Sequence, residues 1–534
     1  MKKIVAAVAA AGVAITGVVL LAPSGASAAP SAPGQYAPPA IAWGACADES
    51  LKKAGAECGM LDVPLDYAKL DGEKIQIAVS RVKHKVPDAQ SQGPILVNPG
   101  GPGGSGLIYA TLGANVPNKV GEAFDWIGFD PRGVGSSKPA LSCDPNYFTY
   151  NRPEYVPVHP NIERVNLEKA KGYAEACGKA GGKLLDHVKT TDTINDMESI
   201  RKALGVEQIN YYGFSYGTYL GQVYGTLHPE RMRRVVMDGV VNHKDVWYKA
   251  NLNQDIAFDR NIKIYFEWIS RYDNVFRLGK TGHEVERQYY AQRDKLGKKP
   301  AGGVIGSSEF NDLFLPAAYG QRRWEDIAKA FSGWVHRGEW EPLKARYDAA
   351  NGPGDDNGFA MYNGTQCTDV QWPEWKQQRF DNWTTHFRAP FQTWANAWYN
   401  APCLNWAAKA SKPVSVDGAK APPVLLISEE LDAATPYPGA LQARQSFPKS
   451  SLISLPGGTV HSGSLGGNAC VDDRIAEYLA TGKLPERKPG NASDVQCTPK
   501  PQPVPKGANV ATREHGTVGL DSRATLLGQL LGRR

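Results

Sequence analysis

The stretch "NYYGFSYGTYLGQVYG", Asn210–Gly225, sets one serine between two glycines. Gly213-Phe214-Ser215-Tyr216-Gly217 fits G-x-S-x-G, a pattern short enough to arise by chance in a long chain, so its weight rests on its setting. The apolar run "VEQINYYGFS" precedes the serine and reads as a strand. "YGTYLGQVYGTLHPERM" follows and reads as a helix that stops near His228-Pro229. Strand, sharp turn, helix is the context in which such a serine is held exposed at the top of a sheet. The flanking glycines then let chain segments approach closely, and the helix aims its N-terminal N–H groups at developing negative charge. The competing reading is a small residue in a glycine-rich bend. Deciding between them requires a base, an acid and an oxyanion site from elsewhere in the chain.

Outward from this turn the pattern is regular. "KIQIAVSRVKH" (Lys74–His84) alternates apolar and polar residues and predicts a half-exposed strand. "GPILVNPGG" (Gly93–Gly101) and "FDWIGFDPRGVGSS" (Phe124–Ser137) are apolar runs closed by glycines, the second through Asp130-Pro131-Arg132-Gly133. "TDTINDMESIRKALG" (Thr191–Gly205) has helical spacing, with Ile194, Met197, Ile200 and Leu204 on one stripe and Gly205 as C-cap. "MRRVVMDGVV" (Met232–Val241) is a further strand. Strands alternating with helices predict an α/β fold whose mostly parallel sheet is covered on both faces.

From 242 to 413 the chain is rich in Trp, Tyr, Arg and Lys, with helical periodicity and no strand runs, which predicts one helical insertion, a lid. Sheet patterns resume in Ala421–Pro436 and Ser450–Gly463, and a helix is expected around Val471–Ala480. The core is thus expected in two parts, 41–241 and 414–498. The Pro-rich and then polar tail 499–534 is expected to be mobile or packed on as a late appendage.

The N-terminus begins with a basic head, Lys2-Lys3, followed by an apolar run from Ile4 to about Pro23 and then "SGASAAP". Ala26-Ser27-Ala28 is an A-x-A cleavage signal, so residues 1–28 read as a secretory signal peptide and 29–40 as a leader or short propeptide. The formal net charge is +6 with no long basic block, which gives no support to nucleic-acid binding or to a polybasic membrane patch. A secreted monomer is expected. Eight cysteines in an oxidising compartment favour disulfides. Chain neighbours are the simplest pairing: Cys46–Cys58, Cys143–Cys177, Cys367–Cys403 and Cys470–Cys497. None forms a C-x-x-C pair or lies near a His at zinc-finger spacing, so no metal is expected.

A serine hydroxyl needs a base, since its own pKa is far too high to ionise near neutral pH. Of ten histidines, His461 stands out in "GGTVHSGS", a glycine-flanked loop after the last predicted strand. The order Ser, Asp, His then requires an acid between the two. Asp432 ends "PPVLLISEELD" and opens the loop "DAATP", at the carboxyl end of a strand where sites in open α/β sheets gather. Glu429 and Glu430 are rival acids. "VNPGGPGGSG" (Val97–Gly106) follows a strand and holds five glycines, so its backbone N–H groups can approach a substrate oxygen. The oxyanion hole is assigned to the N–H of Gly101, with Gly100 as its alternative, and to the N–H of Tyr216. A phosphate-cradling loop is the rival reading, but no G-K-[ST] follows.

Taken in order, "NPGGPGGSG", "GFDPRGVGSS", "GFSYGTYLG", "LDAATP" and "GGTVHSG" resemble the α/β-hydrolase peptidases of the prolyl aminopeptidase group, and among them the secreted tripeptidyl aminopeptidases of actinobacteria. The resemblance runs from about Trp43 to Cys497. It implies an α/β-hydrolase core with a helical lid inserted after the sixth core strand, and serine exopeptidase activity that releases short peptides from a free N-terminus. Ser215, Asp432 and His461 match the family's triad, and hydrolysis by a serine triad calls for no organic cofactor. Pro99 stands where many relatives carry His before Gly-Gly-Pro-Gly, a change that leaves a hole built from backbone groups intact. A tripeptide product, and Pro or Ala at the cleaved position, are implied by the resemblance alone.

An exopeptidase must hold the substrate's α-ammonium, and a carboxylate in a partly closed pocket does so. Asp369 and Glu374, in "QCTDVQWPEW", are the candidates, with Glu429 and Glu430 as further ones. Lid tryptophans such as Trp372, Trp375, Trp394 and Trp406 either line an apolar subsite or pack the lid helices. A secreted carboxylesterase or lipase using the same triad is the alternative function. A non-catalytic binding protein on this fold would be expected to lack part of the triad.

Overall fold

The structure, a computed structural model, describes residues 36–351 and 353–508. The expected signal peptide, the leader up to residue 35 and the tail from 509 lie outside the described residues. Among the described residues ten strands form one sheet: β1 (Gly44–Ala45), β2 (Glu57–Pro64), β3 (Lys74–Val82), β4 (Pro94–Asn98), β5 (Asp125–Phe129), β6 (Ile209–Phe214), β7 (Met232–Asp238), β8 (Val424–Glu429), β9 (Ser450–Leu455) and β10 (Val495–Gln496). Their spatial order is β1-β2-β3-β5-β4-β6-β7-β8-β9-β10. The pairs from β1 to β5 are antiparallel, and every pair from β5 to β10 is parallel.

The parallel strands β4, β6, β8 and β9 are buried at every residue, which is why they read as apolar runs rather than alternating ones. Side chains still divide by twos. Leu96, Tyr211, Met237 and Leu426 join one core cluster with Ile194, Met197 and Ile200 of the helix Thr190–Ala203 and with Leu220 and Val223 of the helix Tyr216–Leu227. Ile95, Val97, Tyr212, Val236, Leu425 and Ile427 point the other way, onto Val471, Ile475 and Tyr478 of the helix Ala469–Thr481. Each such side chain contributes about 1.5–3 kcal/mol by burial. β3 departs from expectation: Ala78 and Ser80, on its supposedly polar face, are as buried as Ile77 and Val79. The turns after β4 cover that face, and Ser80 Oγ donates to the Leu107 carbonyl at 2.6 Å.

Between β7 and β8 the chain forms helices that include Tyr248–Arg271, Ser307–Tyr319, Asn357–Asp369, Trp375–His386 and Thr393–Asn400. The helix Pro160–Gly181 lies between β5 and β6 in sequence, yet it packs among them. Its Ala170 shares an apolar cluster with Trp394, Trp398 and Ala401. The neighbouring Arg152 bridges Glu309 and Asp312, and Tyr173 OH donates to Asp356. The cap over the sheet is therefore built from two separate segments. Trp375, Trp394 and Trp398 stack on one another inside it, so these indoles pack helices.

Four disulfides are present, Cys46–Cys58, Cys143–Cys177, Cys367–Cys403 and Cys470–Cys497. Among the described residues no helix is long and apolar enough to cross a membrane. The start of the tail is packed and forms a strap. Pro503 O accepts from Trp268 Nε1 at 2.8 Å, Lys506 N donates to Glu325 at 3.2 Å, and Lys500 reaches the Gly466 carbonyl.

Candidate active site

The chain leaves β4, runs outward to β5 and then returns to the other side of β4 as β6. β4 therefore has parallel neighbours on both sides, with Asn98 opposite Gly213. This is the topological switch point at which a crevice opens beyond the carboxyl ends of the strands. The glycine loop after β4 and the turn after β6 emerge there side by side.

Ser215 occupies that turn at φ 54°, ψ −125°, a backbone conformation that costs a non-glycine residue about 1–3 kcal/mol. Its N–H donates to the Asp238 carbonyl at 3.0 Å, and Thr218 N donates to its carbonyl at 2.8 Å. A Cβ at Gly213 would fall 2.5 Å from the Gly217 carbonyl oxygen, and one at Gly217 would fall 2.5 Å from that of Asn98. Both glycines of the motif are thus required by close backbone approach. A Cβ at Gly100 would lie 2.8 Å from Tyr216 N, so the glycine loop touches the elbow.

The loop distinguishes its two candidate donors. Gly100 N donates to Asn98 Oδ1 at 2.9 Å and is occupied. Gly101 N and Tyr216 N have no acceptor among the described residues. The far end of the loop is fixed by Asp130, whose carboxylate accepts from Ser105 Oγ, Gly106 N and Ser136 N. The next arginine in that motif, Arg132, forms a fully buried pair with Asp196 at 2.6 Å. Removing one partner of such a pair costs about 3–5 kcal/mol.

His461 Nδ1 lies 2.8 Å from Asp432 Oδ2. Asp432 is fully buried, and its oxygens also accept from Ala434 N, Thr435 N and Thr435 Oγ1. The rival acids are engaged elsewhere: Glu429 accepts from Val460 N at 2.5 Å and Glu430 from Ser454 Oγ at 3.0 Å. No hydrogen bond joins Ser215 Oγ to His461 Nε2 among the described residues; catalytic contacts of this kind tighten when substrate binds. Both residues lie at the end of β7, where Ser215 N donates to Asp238 O and a Cβ on Gly239 would lie 3.1 Å from the His461 ring. The lid also reaches the histidine. His461 N donates to Tyr319 O at 2.9 Å, and the two rings meet edge-on at 5.7 Å.

Burial alone would lower the pKa of His461, but the carboxylates of Asp432, Asp238 and Glu429 outweigh it and leave it raised. Burial pushes Glu429 up to about 8, with repulsion from Asp238 and Asp432 adding to the Val460-opposed shift. Burial likewise pushes Asp238 up to about 6 against two hydrogen bonds from Ser464. Asp238 was not singled out from sequence. Its only signal there was an acid at the end of an apolar strand, "VVMDG".

The two acids proposed for ammonium binding sit differently. Asp369 is buried, and its oxygens accept from Thr190 N, Thr190 Oγ1 and Trp247 Nε1 at 2.6–3.1 Å, which caps the helix Thr190–Ala203. Burial pushes its pKa up to about 6 despite these donors. Glu374 is exposed at the start of the helix Trp375–His386. The structure brings neither to the Ser215–His461 crevice as an unengaged carboxylate.

Known proteins resemble the chain along most of its length. Residues 93–308 match the family described as alpha/beta hydrolase fold, and residues 389–497 match the one described as TAP-like protein. A tripeptidyl aminopeptidase of Streptomyces lividans is 40% identical over 481 residues, covering 87% of this chain and 88% of that protein. The serine protease Hip1 of Mycobacterium tuberculosis is 28% identical over 482 residues, covering 83% of this chain and 89% of that protein. Carboxylesterase B of the same organism is 28% identical over 504 residues, covering 89% and 93%.

Proposed function

Because the chain belongs to the tripeptidyl aminopeptidase family of α/β-hydrolases, we propose that it is a serine exopeptidase that releases short peptides, tripeptides foremost, from a free N-terminus. The observation that carries this reading is the His461–Asp432 pair at 2.8 Å beside the strained elbow of Ser215.

In this mechanism Ser215 Oγ attacks the scissile carbonyl and His461 Nε2 takes its proton. Asp432 holds Nδ1–H, fixes the tautomer and stabilises the imidazolium. The oxyanion rests on Gly101 N–H and Tyr216 N–H, each donor worth about 2.7–4 kcal/mol of barrier. His461 then protonates the leaving amine, and water resolves the acyl-enzyme by the same route. Pro or Ala at the cleaved position, and export through the N-terminal signal, belong to the same proposal. Four disulfides and the secretory pattern of residues 1–28 support export.

Esterase action is the second reading, favoured by the likeness to a carboxylesterase B. Three chromogenic substrates separate the two: Ala-Ala-Pro-p-nitroanilide with a free amine, its N-acetylated form, and p-nitrophenyl butyrate. Rapid release from the free-amine peptide, with little from the acetylated one, is the expected outcome. Turnover of the butyrate alone would overturn the peptidase.

A further inference from the structure

Asp255 lies in the helix Tyr248–Arg271 and is 1% exposed. Its Oδ1 accepts from Asn396 Nδ2 at 2.9 Å, and no other hydrogen bond reaches the carboxylate from the described residues. It borders a cavity of about 10 Å³ lined also by Tyr248, Asn251, Trp372, Gln378 and Asn400. That volume is on the scale of one water molecule or one ammonium group.

A second atom in the lining lacks a partner. Asn400 Oδ1 is buried with no hydrogen bond, while Asn400 Nδ2 donates to Asn396 O, Asn396 Oδ1 and Asn251 Oδ1. Those three acceptors fix which end of the amide is which. The unsatisfied capacity around the cavity is therefore acceptor capacity: one carboxylate oxygen and one amide oxygen. A group with several N–H donors and a positive charge satisfies both.

Three contacts tie the helix of Asp255 to the segments around Ser215 and His461. One turn before Asp255, Asn251 accepts from Tyr362 OH at 3.2 Å, and Tyr362 N lies 3.2 Å from where a Cβ on Gly103 would stand in the glycine loop. One turn after it, the Phe258 ring lies 4.9 Å from that of Tyr319, which in turn meets His461. Between these, Gln254 donates to the Ala434 carbonyl in the loop of Asp432. Asn251, Gln254 and Phe258, the helix neighbours of Asp255, thus contact the segments that border the triad.

We propose that Asp255, with Asn400, receives the α-ammonium of the substrate and so sets how many residues precede the cleaved bond. This rests on the exopeptidase reading above. Three extended residues span about 10 Å, which is the length a tripeptide would place between the cleaved bond and its ammonium. Burial raises the pKa of Asp255, so its ionised form is costly while it stands alone. An arriving cation offsets that cost, and a neutral acetylated terminus does not.

The test compares kcat/KM for Ala-Ala-Pro-p-nitroanilide and its N-acetylated form in the wild-type protein, Asp255→Asn and Asp255→Glu, with thermal melting of each. The wild-type ratio is expected to exceed about 100, and in Asp255→Asn to fall at least tenfold through a raised KM for the free-amine peptide. An unchanged ratio in an Asp255→Asn protein that melts like wild type overturns the role of Asp255 and leaves the exopeptidase reading standing. A wild-type protein with no preference for the free amine overturns both. Should Asp255→Asn not fold, Asp255→Glu decides. Moving the carboxylate by one methylene should shift KM for the free-amine peptide more than tenfold, and an unchanged KM overturns the proposal.

Discussion

Ser215 and Ser462 donate to one acceptor, the backbone carbonyl of Asp238, at 3.0 and 3.3 Å. The turn of Ser215 and the residue after His461 are thereby anchored to the same atom at the end of β7. On the Ser215 side the donor is the backbone N–H, and the hydroxyl takes no part.

Ser215→Ala should therefore fold with its anchoring bond intact and melt within a degree or two of wild type. Its turnover should drop by about 10⁴–10⁶. A variant that melts normally and retains more than a hundredth of wild-type turnover on the free-amine peptide would remove Ser215 from the chemistry.

Much of this site is legible in the chain because its parts are short and local. The elbow and the glycine loop announce themselves by glycines that close backbone approach makes necessary, and the loop of His461 by Gly457, held at φ 75°. What the sequence does not reveal depends on pairing across the fold. The sequence favours Gly101 but leaves Gly100 open as an alternative, and the bond from Gly100 N to Asn98 Oδ1 separates them. Asp369 looks like a pocket acid until its oxygens are seen to cap a helix 179 residues away in sequence. Asp255 sits in an ordinary amphipathic helix pattern, and nothing local marks it. The helix Pro160–Gly181 is similarly hidden, since the partners of its Ala170 belong to the distant lid.

Asp432 should prove far more important to turnover than its neighbours. Asp432→Asn keeps the shape but offers His461 Nδ1 the wrong hydrogen-bonding pattern, and turnover should fall by about 10⁴. Glu430→Gln, which alters a bond to Ser454 remote from the imidazole, should fall by less than tenfold. Equal losses in the two would reopen the choice of acid.

The acid limb of kcat/KM should lie above 6.5, the ordinary value for imidazole, because the surrounding carboxylates favour the protonated, inactive ring. Asp238 is charged above about pH 6 and contributes to that elevation. Asp238→Asn should move the limb to lower pH, so that the variant retains relatively more of its own maximal activity in acid. A limb that stays in place, or moves upward, would contradict the electrostatic account of His461.

Glu429 gives a stability prediction of definite sign. Its pKa rises from 4.5 to about 8 on folding, so between those values the folded state holds a proton that the unfolded chain has lost. Stability therefore falls as pH rises through that window, with the full cost present above pH 8 and none below 4.5. Glu429→Gln removes the ionisable group while its amide oxygen still accepts from Val460 N. The variant should melt above wild type at pH 9, and the difference should narrow steadily toward pH 4.5. Thermal melting across that range checks it, and a gap that widens in acid would be the wrong sign.

The strap formed by residues 499–508 spans from the loop of His461 to the lid. At one end Pro499 Cβ lies 3.1 Å from where a Cβ on Gly458 would stand, and Lys500 reaches Gly466. At the other, Trp268 and Glu325 of two lid helices bond to Pro503 O and Lys506 N. Ending the chain after Thr498 keeps β10 and the Cys470–Cys497 disulfide but cuts these ties. Each lost hydrogen bond is worth about 0.5–1.5 kcal/mol, so the lid should loosen without the core unfolding. The truncated protein should show a lower melting temperature and a KM raised more than its kcat is reduced. The chain ended after Ala508 keeps every one of these ties and is the reference, and identical behaviour of the two truncations would make the strap a passive appendage.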